Sequence, residues 1–177
     1  MSPPIAPTGT GLPRRAVAAT DFSQSSTYAA RTVFELLDET GRLTLVHVCA
    51  DVELPPDALR EWRTQYGRIA DVLLARTARE IAGHDVNQID QRQLMGDPVH
   101  EIITFARQMG ADLISVGSHG YRIAERILVG SVATRLLRAA HYSVLIAPPN
   151  ATGIVRAAGI AREIAWQAEA AVLPGVL

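Results

Sequence analysis

The chain contains no lysine, since all 17 of its lysine-plus-arginine residues are arginine. Lysine forms Schiff bases with carbonyl substrates and contacts the phosphates in a P-loop. Its absence excludes both kinds of site, and also a response-regulator receiver, which needs a lysine. If the protein binds a nucleoside triphosphate, backbone amides must make most of the contact with the phosphates.

Cysteine, net charge and long apolar runs are also scarce. Cys49 is the single cysteine, so an internal disulfide is excluded, and the cytoplasm is the expected compartment. A net charge of −1 predicts neither a nucleic-acid partner nor an acidic membrane partner. No apolar run approaches the ~18 residues that a membrane span needs. Residues 1–13 lack the charged and apolar segments of a secretory signal, so we expect none.

The length of 177 residues fits one domain with tails. Residues 1–13 hold four prolines and few large apolar side chains, which predicts a disordered arm. Residues 14–149 are expected to form the domain. In the tail, 150–177, an alanine-rich apolar stripe recurs at helical spacing, which predicts an amphipathic helix over about 152–171.

Apolar runs alternate with helical patterns five times between residues 16 and 149. This alternation predicts an α/β fold with a five-stranded parallel sheet and helices on both faces. With the order 3-2-1-4-5, the point where strand order reverses lies between the first and fourth strands, where ligands bind in such sheets. The predicted strands are 16–20, 43–49, 86–95, 112–116 and 143–147. The first predicted helix follows the cap candidates Asp21 and Ser23 and ends near Gly41, and the others are 57–82, 98–109 and 132–140.

A glycine-rich stretch joins the fourth strand to the fourth helix. Gly117 and Gly120 follow the strand, and Gly130 and Ser131 precede the helix. Glycine lets a backbone approach a ligand closely, and a helix N-terminus offers N–H groups and a positive dipole end. The combination favours a phosphate site. Single turn or cap glycines, and an Asp21 that only caps the first helix, are the simpler readings.

Over residues 14–148 the sequence resembles the universal stress protein family. The family's nucleotide motif, Gly, two residues, Gly, nine residues and Gly-Ser/Thr, is intact from Gly117 to Ser131. The segments 20–23 (Thr-Asp-Phe-Ser), 45–48 (Leu-Val-His-Val) and 96–98 (Gly-Asp-Pro) also match. Ala19 and Ser143 depart from it, since the family often has proline at these two positions.

The resemblance implies the fold described above, which is related to the Rossmann fold and to the adenine-nucleotide alpha hydrolases. It also implies ATP or another adenine nucleotide, with Mg²⁺, as the ligand. The adenosine would lie near Asp21 and the backbone of Val48, and the phosphates near the glycines and the start of the fourth helix. The residues assigned to nucleotide binding are Thr20, Asp21, Val48, Val116, Gly117, Gly120, Gly130, Ser131 and Val132. A homodimer through the fifth strand is implied as well, and the C-terminal helix is a further candidate for that interface.

Sequence patterns that would indicate catalysis are weaker than the nucleotide motif. No nucleophile–base–acid set and no G-x-S-x-G elbow stands out. His84, His100 and His141 have no metal-ligand spacing with one another or with Cys49, and His47 on an apolar strand fits a satisfied core histidine. We therefore expect a stress-response regulatory protein that binds a nucleotide, with no assigned catalytic residue and at most slow ATP hydrolysis. The alternatives are a weak ATPase or nucleotide-binding enzyme with an unknown acceptor, and a dimeric interaction module without nucleotide.

Overall fold

The structure, a computed structural model of the chain, describes residues 12–118, 130–139 and 142–148, apart from the side chain of His84. Gly120, most of the predicted N-terminal arm and the predicted C-terminal helix lie outside these residues. Within the described ranges, no helix combines the length and the apolarity that a membrane crossing requires.

Five parallel strands form one sheet in the order β3-β2-β1-β4-β5, which confirms the predicted fold class and strand order. The strands are β1 (Arg15–Ala19), β2 (Arg42–Cys49), β3 (Ile89–Met95), β4 (Leu113–Gly117) and β5 (Ser143–Ala147). The helices are α1 (Gln24–Leu36), α2 (Pro56–Ala82), α3 (Pro98–Met109) and α4 (Ser131–Ala139).

Side chains alternate between the two faces of the central strands and form two apolar cores. In β2, Leu43 and Leu45 belong to the core that α1 and α2 cover. Val46 belongs to the opposite core, which α3 and α4 cover. The central strands therefore read as nearly continuous apolar runs, as expected for a parallel sheet buried on both faces.

The predicted helix boundaries follow from local capping. Asp97 is the N-cap of α3 and accepts a hydrogen bond from the backbone N–H of His100 at 3.0 Å, with Pro98 in the first turn. Gly110 ends α3 in the left-handed conformation with φ +60°. At α1 the N-cap is Ser23, whose hydroxyl accepts from the Ser26 N–H, so Asp21 is not the capping residue.

Two local expectations are wrong. The sequence predicts a third strand from Val86, but residues Gly83–Gln88 form a short 3₁₀ segment and β3 begins at Ile89. In α2, the sequence predicts an apolar stripe that includes Trp62, Tyr66 and Ile69, yet Ile69 is 58% exposed. The side chains of α2 that are buried are Ala70, Leu74, Thr77, Ala78 and Ile81.

Candidate functional site at the carboxyl edge of the sheet

The two halves of the glycine motif meet in space. Gly117 ends β4, and the backbone N–H of Gly130 donates to the carbonyl of Ser118 at 2.5 Å. The Ser118 N–H in turn donates to the carbonyl of Ala147 at the end of β5, at 2.8 Å. The start of α4 is thus fixed at the carboxyl ends of β4 and β5, although residues 119–129 separate it from β4 in sequence.

Thr20 and Asp21 lie next to this motif, across the reversal of strand order. β1 pairs with β4 in a register that joins Ala18 to Ser115, so Thr20 and Gly117 each lie two residues beyond that pair. The N–H of Thr20 also continues the pairing with β2 by donating to the carbonyl of Val46 at 2.8 Å. Thr20, Asp21 and Gly117 therefore lie at one edge of the sheet, at the position where α/β folds bind ligands.

The side chains of Thr20 and Asp21 take different directions. The buried Thr20 hydroxyl lies 3.0 Å from the Ser26 hydroxyl and accepts the N–H of Phe22 at 2.9 Å. The exposed Asp21 carboxylate accepts the N–H of Ser23 at 3.1 Å through Oδ1. Thr20 therefore shapes the turn from within, whereas Asp21 presents a carboxylate at the surface of the site.

Gly117 has a packing role that no local sequence pattern indicates. A Cβ at this position would lie 2.6 Å from the backbone nitrogen of Ser26 in α1, far inside contact distance. The missing side chain therefore lets the first turn of α1 approach the end of β4, whether or not a ligand is bound.

Three valines assigned to the site point their side chains away from the edge. Val116 is buried in the core under α3 and α4, and the half-buried Val48 and Val132 pack against the same core. Their backbone groups, not their side chains, are what a ligand at the edge could contact.

The N-terminus of α4 supplies the candidate phosphate donors. Ser131 is exposed and opens the helix. The N–H groups of Ser131 and Val132 have no carbonyl one turn earlier within the helix. The resemblance assigns Gly130 to the nucleotide as well, but in this structure its N–H donates to the Ser118 carbonyl. Among predicted site residues, Gly120 lies outside the described part of the chain.

An ion pair that the sequence does not predict links α3 to α4 beside this edge. The guanidinium of Arg135 donates to both carboxylate oxygens of Asp97, at 2.9 and 3.0 Å. These hydrogen bonds hold the pKa of Asp97 below its usual value. In sequence, the pairing could have been suspected only from the acidic cap of one helix and a basic residue on the next.

His47 is buried, as expected of a core histidine, and both of its ring nitrogens have hydrogen-bond partners. The residues for which the structure gives positions include no cluster of three or more His, Cys, Asp or Glu side chains suited to a metal ion.

Comparison with known proteins places this geometry in a family. The sequence profile of the universal stress protein family matches residues 13–148. Universal stress protein MJ0531 of Methanocaldococcus jannaschii is 31% identical over 142 residues, covering 78% of this chain and 84% of that protein.

Two solved structures share the fold. One is a universal stress protein in complex with cAMP, with a TM-score of 0.58 and 22% identity, covering 79% of this chain and 100% of that one. The other is a universal stress protein family protein from Arabidopsis thaliana with AMP bound, with a TM-score of 0.56 and 20% identity, covering 78% and 94%.

Proposed function

The chain belongs to the universal stress protein family, and we propose that it binds an adenine nucleotide, ATP with Mg²⁺, at the carboxyl edge between β1 and β4. The nucleotide acts in this proposal as a regulatory ligand of a cytoplasmic stress-response protein. A bound ligand that prefers one conformational state raises the population of that state.

The observation that carries the proposal is the hydrogen bond from Gly130 to the Ser118 carbonyl. It brings the start of α4 to the end of β4, beside Thr20 and Asp21. A helix N-terminus next to an exposed carboxylate at a strand-order reversal suits a ligand with phosphates at one end and hydroxyl groups at the other. The family members solved with AMP and with cAMP support an adenine nucleotide as the class of ligand.

In the proposed complex the adenosine lies at Asp21 and the backbone of Val48. The phosphates lie along Gly117, Gly120 and the first N–H groups of α4. The chain has no lysine to contact a triphosphate, and the proposal assigns that contact to backbone amides and Mg²⁺. Charge-assisted hydrogen bonds from a handful of amides, at about 1.5–3 kcal/mol each, can supply the ~8 kcal/mol of a micromolar complex after ordering costs.

The test is binding of Mg-ATP by protein that has been stripped of ligand. We expect a Kd between micromolar and sub-millimolar values. At a hundredfold excess over Kd the ligand should stabilise the fold by about 2.7 kcal/mol. A melting temperature that millimolar Mg-ATP leaves unchanged would refute nucleotide binding.

A matched pair of substitutions at Ser131 tests the role of the backbone. Ser131→Pro removes the N–H, and proline is well accepted at the first position of a helix. Ser131→Ala removes only the hydroxyl, so we expect a loss of about 1 kcal/mol in binding. The proline variant should lose clearly more than the alanine variant at equal folding. The reverse order would contradict a backbone phosphate site.

Turnover separates the regulatory ligand from the alternative of a weak ATPase. The protein is incubated with labelled Mg-ATP, and bound ATP and released ADP are counted over several hours. A stoichiometric complex with no accumulating ADP supports the regulatory role. ADP that exceeds the protein in amount assigns an ATPase.

A further inference from the structure

The turn that carries Asp21 is strained. Phe22 has φ +65°, a left-handed conformation that a bulky side chain rarely adopts. Strained backbone of this kind persists only where surrounding contacts fix it, and it occurs mainly at functional sites. Two local hydrogen bonds help, from the Phe22 N–H to the Thr20 hydroxyl at 2.9 Å and from the Ser23 N–H to the Asp21 carboxylate at 3.1 Å.

A third contact reaches the turn from β2. The Nδ1 atom of the buried His47 lies 2.8 Å from the carbonyl oxygen of Thr20. A carbonyl oxygen only accepts hydrogen bonds, so Nδ1 carries the proton. The ring of Phe22 also contacts the His47 ring, with centroids 4.5 Å apart. His47 thus contacts the turn at two points, the backbone carbonyl of Thr20 and the ring of the strained Phe22.

Helix α2 orients His47 from the other side. The hydroxyl of Tyr66 lies 2.7 Å from Nε2 of His47 and donates to it when the ring is neutral. Burial and the nearby Cys49 thiol raise the pKa of Tyr66, so this hydroxyl keeps its proton. Trp62, one turn earlier in α2, stacks on Tyr66 with centroids 4.9 Å apart. A continuous line of rings therefore runs from α2 to the turn.

We propose that His47 and Tyr66 are positioning residues for the nucleotide: they hold the Thr20 carbonyl, and through it the Asp21 carboxylate, in the geometry that binds the adenosine. The inference rests on the proposed function. Tyr66 fixes the orientation of the His47 ring, and His47 fixes the turn. By linkage, a nucleotide at Asp21 restrains the Trp62–Tyr66 segment of α2 in return.

Two substitutions of His47 separate positioning from packing. The amide nitrogen of asparagine takes the place of Nδ1, whereas that of glutamine takes the place of Nε2. His47→Asn therefore keeps a donor for the Thr20 carbonyl, and His47→Gln loses it. We expect the Kd for Mg-ATP to stay within about threefold of wild type in His47→Asn and to rise about tenfold in His47→Gln.

Tyr66→Phe provides a second variant that keeps the ring and removes the donor to Nε2. Its Kd should rise between those of the two His47 variants. In wild type, nucleotide should slow amide exchange at residues 62–66, and this protection should be lost in Tyr66→Phe. Equal Kd values for wild type, Tyr66→Phe and His47→Gln, all folded, would overturn the proposal.

A measurement without nucleotide keeps this inference distinct from the proposed function. The amides of Phe22 and Ser23 should exchange faster in His47→Gln than in His47→Asn, because only the former releases the Thr20 carbonyl. If wild type binds no adenine nucleotide, the proposed function fails. Faster exchange in His47→Gln would then leave the positioning of the turn supported, and equal exchange would refute it.

Discussion

Asp97 at the N-terminus of α3 and Arg135 in α4 form an ion pair with two hydrogen bonds, at 2.9 and 3.0 Å. The same carboxylate caps α3 by accepting the N–H of His100. One side chain therefore joins two helices that cover the same face of the sheet. Both side chains are about half exposed, so solvent screens the pair, but the two-bond geometry is the favourable one for arginine and carboxylate.

Asp97→Asn should destabilise the protein in a pH-dependent manner. Arg135 lowers the pKa of Asp97 from its ordinary 3.8, so the folded state favours the ionised carboxylate. That stability is fully present above about pH 5 and is lost as the pH falls through the folded pKa. Asparagine still caps a helix, so capping is preserved. The urea midpoints of wild type and Asp97→Asn should differ at pH 7 and converge in acid. The midpoint of Arg135→Gln should converge with that of wild type in the same way. A difference from wild type that does not change with pH would contradict the ion pair as the cause.

Gly67→Ala should stabilise the protein. Gly67 lies in the middle of α2, and a Cβ there would meet only the side-chain oxygen of Gln93 at 3.7 Å, an ordinary contact. Alanine lowers the entropy of the unfolded chain, so the free energy of unfolding should rise by about 0.5–1 kcal/mol. Urea denaturation measures this change in the free energy of unfolding. Gly83→Ala is the control, because Gly83 has φ +57° and an alanine there should destabilise.

Gly117→Ala should destabilise the protein, in contrast to Gly67→Ala. The added Cβ would lie 2.6 Å from the backbone nitrogen of Ser26, so α1 must shift away from β4. Overpacking of this kind costs about 1–3 kcal/mol of unfolding free energy. If Gly117 serves only the approach of a ligand, the variant will bind nucleotide weakly and unfold like wild type, contrary to this expectation.

The sequence predicts the sheet well because its strands are buried on both faces and its helices end at clear caps. β5 spans the predicted Ser143–Ala147, and Asp97 and Gly110 bound α3 as expected. The phase of the long α2 is harder to predict. Ile69 fits an apolar stripe that starts at Trp62, but the face that meets the sheet is set by Leu74 and Ala78.

For the site, the sequence predicts that Thr20, Asp21 and Gly117 lie at one edge of the sheet, because parallel strands end at the same edge. It does not predict the contacts between distant elements. The Nε2 partner of His47, Tyr66, comes from α2, and the backbone that leaves no room for a side chain at Gly117 comes from α1. Such contacts depend on how two elements cross, which no local pattern encodes.

β5 is an edge strand in the sheet of the described residues, and an uncovered edge favours pairing with another chain. We propose that the protein forms a homodimer through this edge. The carbonyl of Ala147 accepts from Ser118 on the β4 side. Because backbone groups alternate along a strand, Leu145 also faces β4, whereas Val144 directs its N–H outward.

Val144→Pro should therefore give monomers. It removes an outward N–H while leaving the ladder to β4 intact, and proline is accepted where the N–H of an edge strand points outward. Val144→Ala is the matched control, since it loses the same packing against the core but keeps the N–H, and it should remain dimeric. Light scattering should give 19.1 kDa for the proline variant and twice that mass for wild type and the alanine control. Leu145→Pro should instead destabilise the fold, because it breaks a bond to β4. A Val144→Pro protein that keeps the dimer mass would place the interface elsewhere.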